Sequence, residues 1–307
     1  MRRAFLAAVA CWLTLIVAAP TFAGTACTER RPTADALARD LALAAKVAEQ
    51  LDRLAEREGL RVALLARAGQ NLTQYGLRFS HLGIVYRDDE ALNGRGAWRV
   101  VHKLNACGTD HAEVFRQGLA EFFGEGLFAH EAGLVVLRAP LNDAQAIAQL
   151  KDNRVMLRLH EPRYNMLAYP WSTRYQQSNQ WALETLAQLA DADATSRSRA
   201  QQWMRLRGYQ PTTLSISAPQ RLGARIAMAH VAFDDHPFAR RMGGHIDTAT
   251  VESVFAFVQR NHLAGPTRVL RTEPAPPSST PRPAPIAPPA QRPPPVPTPL
   301  PRATETT

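Results

Sequence analysis

The stretch "RFSHLGIVYRDDEALNGRGAWRVVHKLN", residues 78–105, holds two β-rich runs separated by a polar segment with two glycines. Such a pair of runs predicts a β-hairpin with an exposed loop. Because strand side chains alternate between faces, His81 and Gly83 should share one face of the first strand. Gly83 has no side chain, so another backbone or a ligand could approach closely beside His81. His102 is the corresponding candidate on the second strand.

Two registers of this hairpin are open. One makes His81 and His102 direct cross-strand neighbours with Cβ atoms about 5 Å apart, so that one imidazole could act as a base while the other fixes its tautomer. The other follows from a tight turn at Asn93 and Gly94, and it places His102 opposite Val85, about 13 Å from His81. Each histidine could also be an ordinary strand residue with satisfied hydrogen bonds.

The sequence on both sides of the hairpin predicts a mixture of helices and strands. A helix is expected from Ala34 to Glu58, with Thr33 as its N-cap and Gly59 as its stop. Further helices are expected within 111–124, 142–152 with Asn142 as cap, 172–191, 196–209 and 248–261, and further strands within 61–69, 131–140 and 221–233. This mixture indicates an α+β domain with an antiparallel sheet at its core and an added N-terminal helix.

Both ends of the chain differ from this body. Residues 1–23 combine an N-terminal arginine pair, an apolar core and small residues at their end, which predicts a secretory signal peptide and an exported, periplasmic protein. A retained membrane anchor is the alternative, although the apolar stretch is short for a span. Residues 266–307 hold most of the 23 prolines and predict a disordered tail, either an extended spacer or inert. The expected segments between the ends are 24–70, helical, and 71–265, the α+β domain.

The charge balance and the cysteines narrow the possible functions. The formal charge is +9, but several of the arginines lie in the two ends, and the body carries no basic run. Nucleic-acid binding is therefore not expected. No phosphate loop or metalloprotease helix is present, and no cofactor is expected.

Once the signal is removed, Cys27 and Cys107 remain, and two cysteines in an exported chain predict one disulfide. The alternative makes Cys107 a catalytic thiol.

Two polar segments are candidates for binding. Residues 164–181 are rich in aromatic and amide side chains, among them Tyr175, Asn179, Gln180 and Trp181, which suit the recognition of a glycan or peptide and suit equally a loop packed over the core. Residues 230–247 concentrate metal-ligand types: His230, Asp234, Asp235, His236, His245 and Asp247. Their spacing matches no metal site, and none is predicted.

Several motifs together resemble one bacterial family. They are "RFSHLGIVYRD", "WRVVHKLNACG", "GLAEFFGE", "YNMLAYPWSTRYQQSNQWALE" and "RLGARIAMAHVAFDDHP". In these motifs the chain resembles domain of unknown function 2145 over most of residues 27–260. That resemblance implies no particular activity.

A more distant similarity does imply chemistry. A histidine followed by x-Gly on a strand, a second histidine on the next strand and a later helix start are similar to circularly permuted NlpC-type papain-like domains, the lecithin retinol acyltransferase group being nearest. The similarity implies a papain-like fold with His81 as base and His102 as its orienting residue. The nucleophilic cysteine of that pattern is absent, and Ser178, or Asn179 if the alignment slips by one, stands in its place, with Trp181 three residues on.

Ser178 therefore decides between two functions. As an N-cap it would serve the helix alone. As a nucleophile it would need proton removal by a base and an oxyanion hole, because a hydroxyl does not ionise as a thiol does. We expect a papain-like cleft that binds an envelope peptide or glycan, with peptidoglycan as one possible partner. The alternative is an active amide or ester hydrolase or acyltransferase that uses Ser178, His81 and His102.

Overall fold

The computed structural model of the protein describes residues 33–106, 108–124 and 130–272. The chain divides into two units, Met1–Glu273 and Pro274–Thr307, and the second lies outside the described residues. The predicted signal peptide, both cysteines of the predicted disulfide and most of the predicted tail lie outside them as well.

The strands form one large and one small sheet. They are β1 (Val62–Arg67), β2 (His81–Asp88), β3 (Ala97–Asn105), β4 (Ala112–Gly118), β5 (Glu131–Val136), β6 (Thr212–Ser215), β7 (His245–Thr248) and β8 (Arg268–Arg271). Six of them form an antiparallel sheet in the order β4-β3-β2-β1-β5-β8, and β6 pairs with β7.

Nine helices of more than one turn accompany the strands in the part of the chain that the structure describes. They are α1 (Ala34–Glu58), α2 (Leu119–Gly124), α3 (Ala144–Lys151), α4 (Asn153–Arg158), α5 (Ser178–Ala190), α6 (Arg197–Leu206), α7 (Ala218–Ala227), α8 (Phe238–Met242) and α9 (Val251–Arg260). A single helical turn, Ala91–Gly94, lies between β2 and β3, and a 3-10 turn spans Thr73–Tyr75.

The large sheet is buried on both faces. Helices α1 and α2 cover one face, where side chains such as Leu43, Val47 and Phe123 pack on the strands. Helices α5, α6 and α9 cover the other face, with Trp181 and Phe257 among the buried side chains. Alternation along the central strands supplies both cores, because successive side chains point to opposite faces.

The expected fold class is confirmed: helices combine with an antiparallel sheet, and the N-terminal helix is present. Helix α1 begins and ends where the sequence predicts, because Thr33 accepts a hydrogen bond from Ala36 N–H and Gly59 has a left-handed backbone with φ of 63°. Strand β1 pairs with β2 on one side and β5 on the other, so the sheet runs across the boundary expected at residue 70. Strand β8 likewise lies within the expected tail.

The predicted helix over 111–124 is wrong in its first half. Residues Ala112–Gly118 form strand β4, and the helix begins only at Leu119. The reason is tertiary: β4 pairs with β3 from Asn105↔Ala112 to Arg99↔Gly118, which satisfies backbone groups that β3 would otherwise leave unpaired.

The predicted strand over 221–233 is also wrong, because most of it forms helix α7 and the loop after it. Ser217 and Gln220 form a capping box, and Pro219 lies in the first turn, two features that start a helix. A smaller correction concerns Asn142, which does not cap α3. Its side-chain oxygen accepts from the backbone N–H groups of Arg61 and Val62 at the start of β1, and Asp143 caps the helix.

Candidate functional site

The register of β2 and β3 lies between the two expected registers, so both were wrong. Ile84 pairs with Val101 and Val85 with Val100. Pairing ends at Asp88↔Ala97, so residues 89–96 form a longer loop with a helical turn, and no two-residue turn at Asn93 and Gly94 joins the strands.

Packing around Gly83 is consistent with this register. A Cβ built on Gly83 would overlap Val100 Cγ1 and would lie 3.3 Å from His102 Cβ. The missing side chain therefore makes room for β3, and the close approach expected at Gly83 is that of a neighbouring strand.

His81 and His102 are in direct contact in this register. His81 Nε2 lies 2.8 Å from His102 Nδ1, and His102 Nε2 lies 2.6 Å from Gln117 Oε1 on β4. The amide oxygen of Gln117 only accepts, so His102 carries its proton on Nε2 and its Nδ1 accepts from His81 Nε2–H. The lone pair of His81 then lies on Nδ1. We call His81, His102 and Gln117 the histidine relay.

The surroundings of the histidine relay keep both imidazoles neutral. Burial lowers the pKa of His102 to about 3, and the positive charge of Arg67 acts in the same direction. Burial, Arg67 and His102 together hold the pKa of His81 well below its usual value. Arg67 pairs with His81 across β1 and β2, and its guanidinium lies 4.8 Å from the centre of the Phe122 ring.

A cavity of about 810 Å³ opens where β1 ends and β2 begins. Polar side chains line one part of its wall: Arg67, Ser80, His81, Tyr164, Gln177, Ser178, Asn179, Thr248 and Thr250. Apolar side chains line much of the rest, and they come mainly from β6, α7 and the loops before β2 and α8. We call this cavity the cleft. It is bordered both by His81 in the sheet and by the first turn of α5.

Ser178 is the first residue of α5 and borders the cleft. Gln177 caps the helix, since its side chain accepts from Asn179 N–H, so the hydroxyl of Ser178 is not the helix cap. Burial raises the pKa of the Tyr164 hydroxyl, and the nearby Ser178 side chain acts in the opposite direction with a smaller effect. Among the described residues, no hydrogen bond joins Ser178 to His81.

Only some of the other predicted binding residues lie at the cleft. Asn179 borders the cleft, and its Nδ2 donates to Ala249 O at 3.2 Å. Gln180 and Trp181 are fully buried in helix α5. The Tyr175 hydroxyl lies 3.5 Å from Asp234 Oδ2, outside the cleft.

Sequence reasoning missed Arg67 and Gln117 as members of this site. Arg67 stood in a short predicted strand with no sign of what it would face. Gln117 stood in a segment predicted as helix, and only its assignment to a strand beside β3 would have placed it near His102.

Three of the metal-ligand residue types of 230–247, Asp235, His236 and Asp247, make structural contacts with neighbouring protein groups. His236 contacts Asp235 Oδ1 at 2.9 Å and Asp247 O at 2.9 Å. The Asp247 carboxylate forms an ion pair with Arg240. Within residues 33–106, 108–124 and 130–272, no group of three or more His, Cys, Asp or Glu side chains could hold a metal ion.

A buried polar network holds the segment before α5. Glu184 is fully buried and pairs with Arg197, whose Nε lies 2.8 Å from Glu184 Oε2. Arg197 also donates to the carbonyls of Ser172, Thr173 and Tyr175. Lys103 on β3 and Gln176 join this network. We call it the Glu184 network, and it fixes the start of the helix that carries Ser178.

Replacement of Gly83 by alanine should lower the free energy of unfolding by about 1–3 kcal/mol, because the added methyl group overpacks the contact with Val100. Urea unfolding followed by circular dichroism measures this. Gly223→Ala is the matched control, since a Cβ there meets no atom within 4 Å, and it should be neutral or slightly stabilising. A Gly83→Ala protein as stable as wild type would show that the tight contact does not exist.

The fold and the cleft define an α+β domain with a histidine relay beside a helix N-terminus. A comparison with protein families identifies the family to which the protein belongs. The model of the family described as "Uncharacterized protein conserved in bacteria (DUF2145)" matches residues 54–258, about two thirds of the chain, and the protein belongs to that family.

The remaining comparisons add no relative. No curated protein and no solved structure matches the chain. Among the residues that the structure describes, no helix is both long enough and apolar enough to cross a membrane.

Proposed function

We propose that this protein is exported to the bacterial cell envelope and that its cleft binds an envelope ligand, such as a peptide or glycan component, without chemistry. The observation that carries the proposal is the histidine relay beside Arg67. The relay leaves the lone pair of His81 Nδ1 as a fixed acceptor for an N–H or O–H of the ligand. The segment 1–23, with the features of a signal peptide, supports the export.

The electrostatics of the relay favour binding over proton transfer. A general base works best when its pKa lies near the working pH, whereas burial and Arg67 hold the pKa of His81 well below its usual value. His102 Nε2 contacts the neutral amide oxygen of Gln117, whereas a carboxylate in that position would stabilise an imidazolium. A serine nucleophile depends on such a base more than a cysteine does.

A second candidate is a hydrolase or acyltransferase with Ser178 as nucleophile, as the similarity to papain-like domains implies. One observation favours it: the Ser178 hydroxyl borders the same cleft as His81 and is not consumed as a helix cap. In that reaction Ser178 Oγ would attack an ester or amide carbonyl and pass its proton to His81 Nδ1. The proton would then go to the leaving alcohol or amine, and water or an acceptor alcohol would release the acyl group from the serine.

A fluorophosphonate probe and a purified disaccharide-peptide fragment of peptidoglycan distinguish the two candidates. We expect no labelling of the wild type, binding of the fragment by wild type and by Ser178→Ala, and at least tenfold weaker binding by His81→Gln. Ser198→Ala is the control, because Ser198 is exposed on α6.

Labelling of wild type and Ser198→Ala but not of Ser178→Ala would establish the enzyme and overturn the proposed binding function. Equal binding by wild type and His81→Gln would remove the histidine relay from ligand recognition.

A further inference from the structure

Helix α7 carries apolar residues but buries none of its ten residues. Leu222 is 63% exposed and Ile226 79% exposed on its outer side. The inner side, which includes Gly223, Ala224 and Ala227, borders the cleft. A helix on the surface of a globular protein normally packs an apolar stripe against the core, whereas the small residues on the inner side of α7 face the cleft instead.

The floor beneath α7 is an apolar cluster separate from both cores of the sheet. Its buried members are Leu214, Ile216, Val231, Phe233 and Ile246, and all but the last line the cleft. Partly buried Met166, Leu167 and Met228 extend this floor. We call these residues the apolar floor. The volume of about 810 Å³ lies within the range of roughly 300–1,000 Å³ that small-molecule sites occupy.

The two parts of the cleft therefore differ in chemistry. Hydrogen-bonding groups gather around His81, Tyr164 and Ser178, and the apolar floor and the inner face of α7 form a separate region. A bare glycan or a hydrophilic peptide in this second region would place most of its hydroxyl or amide groups against apolar side chains, with Gln220 of α7 as a polar exception. A hydrocarbon chain would instead bury the apolar floor and complete the packing of α7.

We infer that the cleft takes an amphiphile whose long acyl chain lies between the apolar floor and α7 while its polar head reaches His81. The inference rests on the proposed binding function, because the head is recognised by the same histidine relay. It narrows the ligand from any envelope peptide or glycan to a molecule that carries an acyl chain. An acylated peptide supplies both the acyl chain and an N–H donor for His81 Nδ1. A fatty acid shares the acyl chain, but its carboxylate only accepts hydrogen bonds and would instead meet the positive charge of Arg67, which also lines the cleft.

The length of the ligand's acyl chain provides the first test. We expect the affinity measured by isothermal titration calorimetry to rise about threefold to fourfold per added methylene through octanoate, decanoate, dodecanoate and tetradecanoate. A palmitoylated dipeptide and its unacylated parent form the second arm. Preference for the fatty acids assigns a free acid as ligand, and preference for the palmitoylated dipeptide assigns an acylated envelope peptide.

Two variants test where the acyl chain of the ligand binds. Gly223→Phe should weaken tetradecanoate binding at least tenfold, because its ring enters open space on the inner side of α7. Leu222→Phe, on the exposed outer side, should bind as wild type does. Thermal unfolding checks that both variants fold, and Ala227→Phe, one turn further along the inner side, replaces Gly223→Phe if that variant is unstable.

Affinity that does not depend on chain length, or full binding by folded Gly223→Phe and Ala227→Phe, would overturn the acyl-chain inference. Different results would contradict the proposed binding function. Binding of the peptidoglycan fragment that depends on His81, without any dependence on chain length, would leave that function standing and remove the acyl chain. Affinity that rises with acyl-chain length, with the palmitoylated dipeptide bound as tightly by His81→Gln as by wild type, would keep the acyl chain and remove His81 from recognition of the head.

Discussion

Replacement of Glu184 by glutamine is expected to lower the free energy of unfolding by about 3–5 kcal/mol, the largest single effect we predict. Glu184 is fully buried, and both of its oxygens accept from Arg197, at 2.8 Å from Nε and 3.1 Å from Nη2. The buried Lys103 lies near enough for Glu184 to stabilise its charge. Without the carboxylate, the Arg197 guanidinium stays buried with no opposite charge in contact.

Urea unfolding at neutral pH measures the loss, and Glu113→Gln, an exposed carboxylate on β4, is the control with an expected change below about 0.5 kcal/mol. The double variant Glu184→Leu with Arg197→Met should recover much of the lost stability, because it removes both charges together. A loss below about 1 kcal/mol for Glu184→Gln would show that the pair is solvated. Since Arg197 holds the carbonyls before α5, weaker ligand binding should accompany the loss of stability.

The stability of the wild type is expected to rise by about 2–3 kcal/mol between pH 7 and pH 9.5 because of Lys103. Burial lowers the pKa of this lysine from 10.5 to about 7 in the folded protein, and Arg197 acts in the same direction. Above pH 7 the unfolded chain therefore binds more protons at this position than the folded protein does. Each pH unit in this window favours the folded state by up to about 1.4 kcal/mol.

Lys103→Met isolates this contribution, since a methionine of similar length has no proton to lose. Its unfolding free energy should change much less over the same window, and the difference between wild type and variant is the quantity to compare. Parallel curves for the two proteins would mean that Lys103 keeps its ordinary pKa in the folded state. Lys46, which is exposed on α1, gives the control variant Lys46→Met, whose curve should run parallel to wild type.

The elements that the sequence predicts best are those with local signals at both ends. Helix α1 has a threonine cap and a glycine stop, and its bounds agree with the prediction. Strand β3 also matches its predicted run. Strand β4 and helix α7 were assigned to the wrong class. Pairing with β3 makes β4 a strand, and for α7 a local capping box outweighed an apolar run that resembles a strand.

The candidate site was predictable in part. Alternation along two strands places His81 and His102 on one face, and their contact was one of the two alternatives. The register itself depends on how Val100 packs over Gly83 and on the loop's left-handed residues, which the spacing of residues does not encode. Arg67 and Gln117 come from neighbouring strands, so no local pattern could associate them with the pair.

The strand order also determines how the sheet can assemble. Strands β1 to β4 neighbour one another in chain order, so each pairing closes a short connection. Strand β5 instead returns to the free side of β1 after three strands and a helix, and β8 joins only from the far end of the domain. Closing longer loops costs more chain entropy and slows folding. The histidine relay lies wholly within the early, local part, whereas helix α5 and the apolar floor come from residues after β5. The cleft is therefore complete only when residues after β5 have packed against the strands that carry the relay.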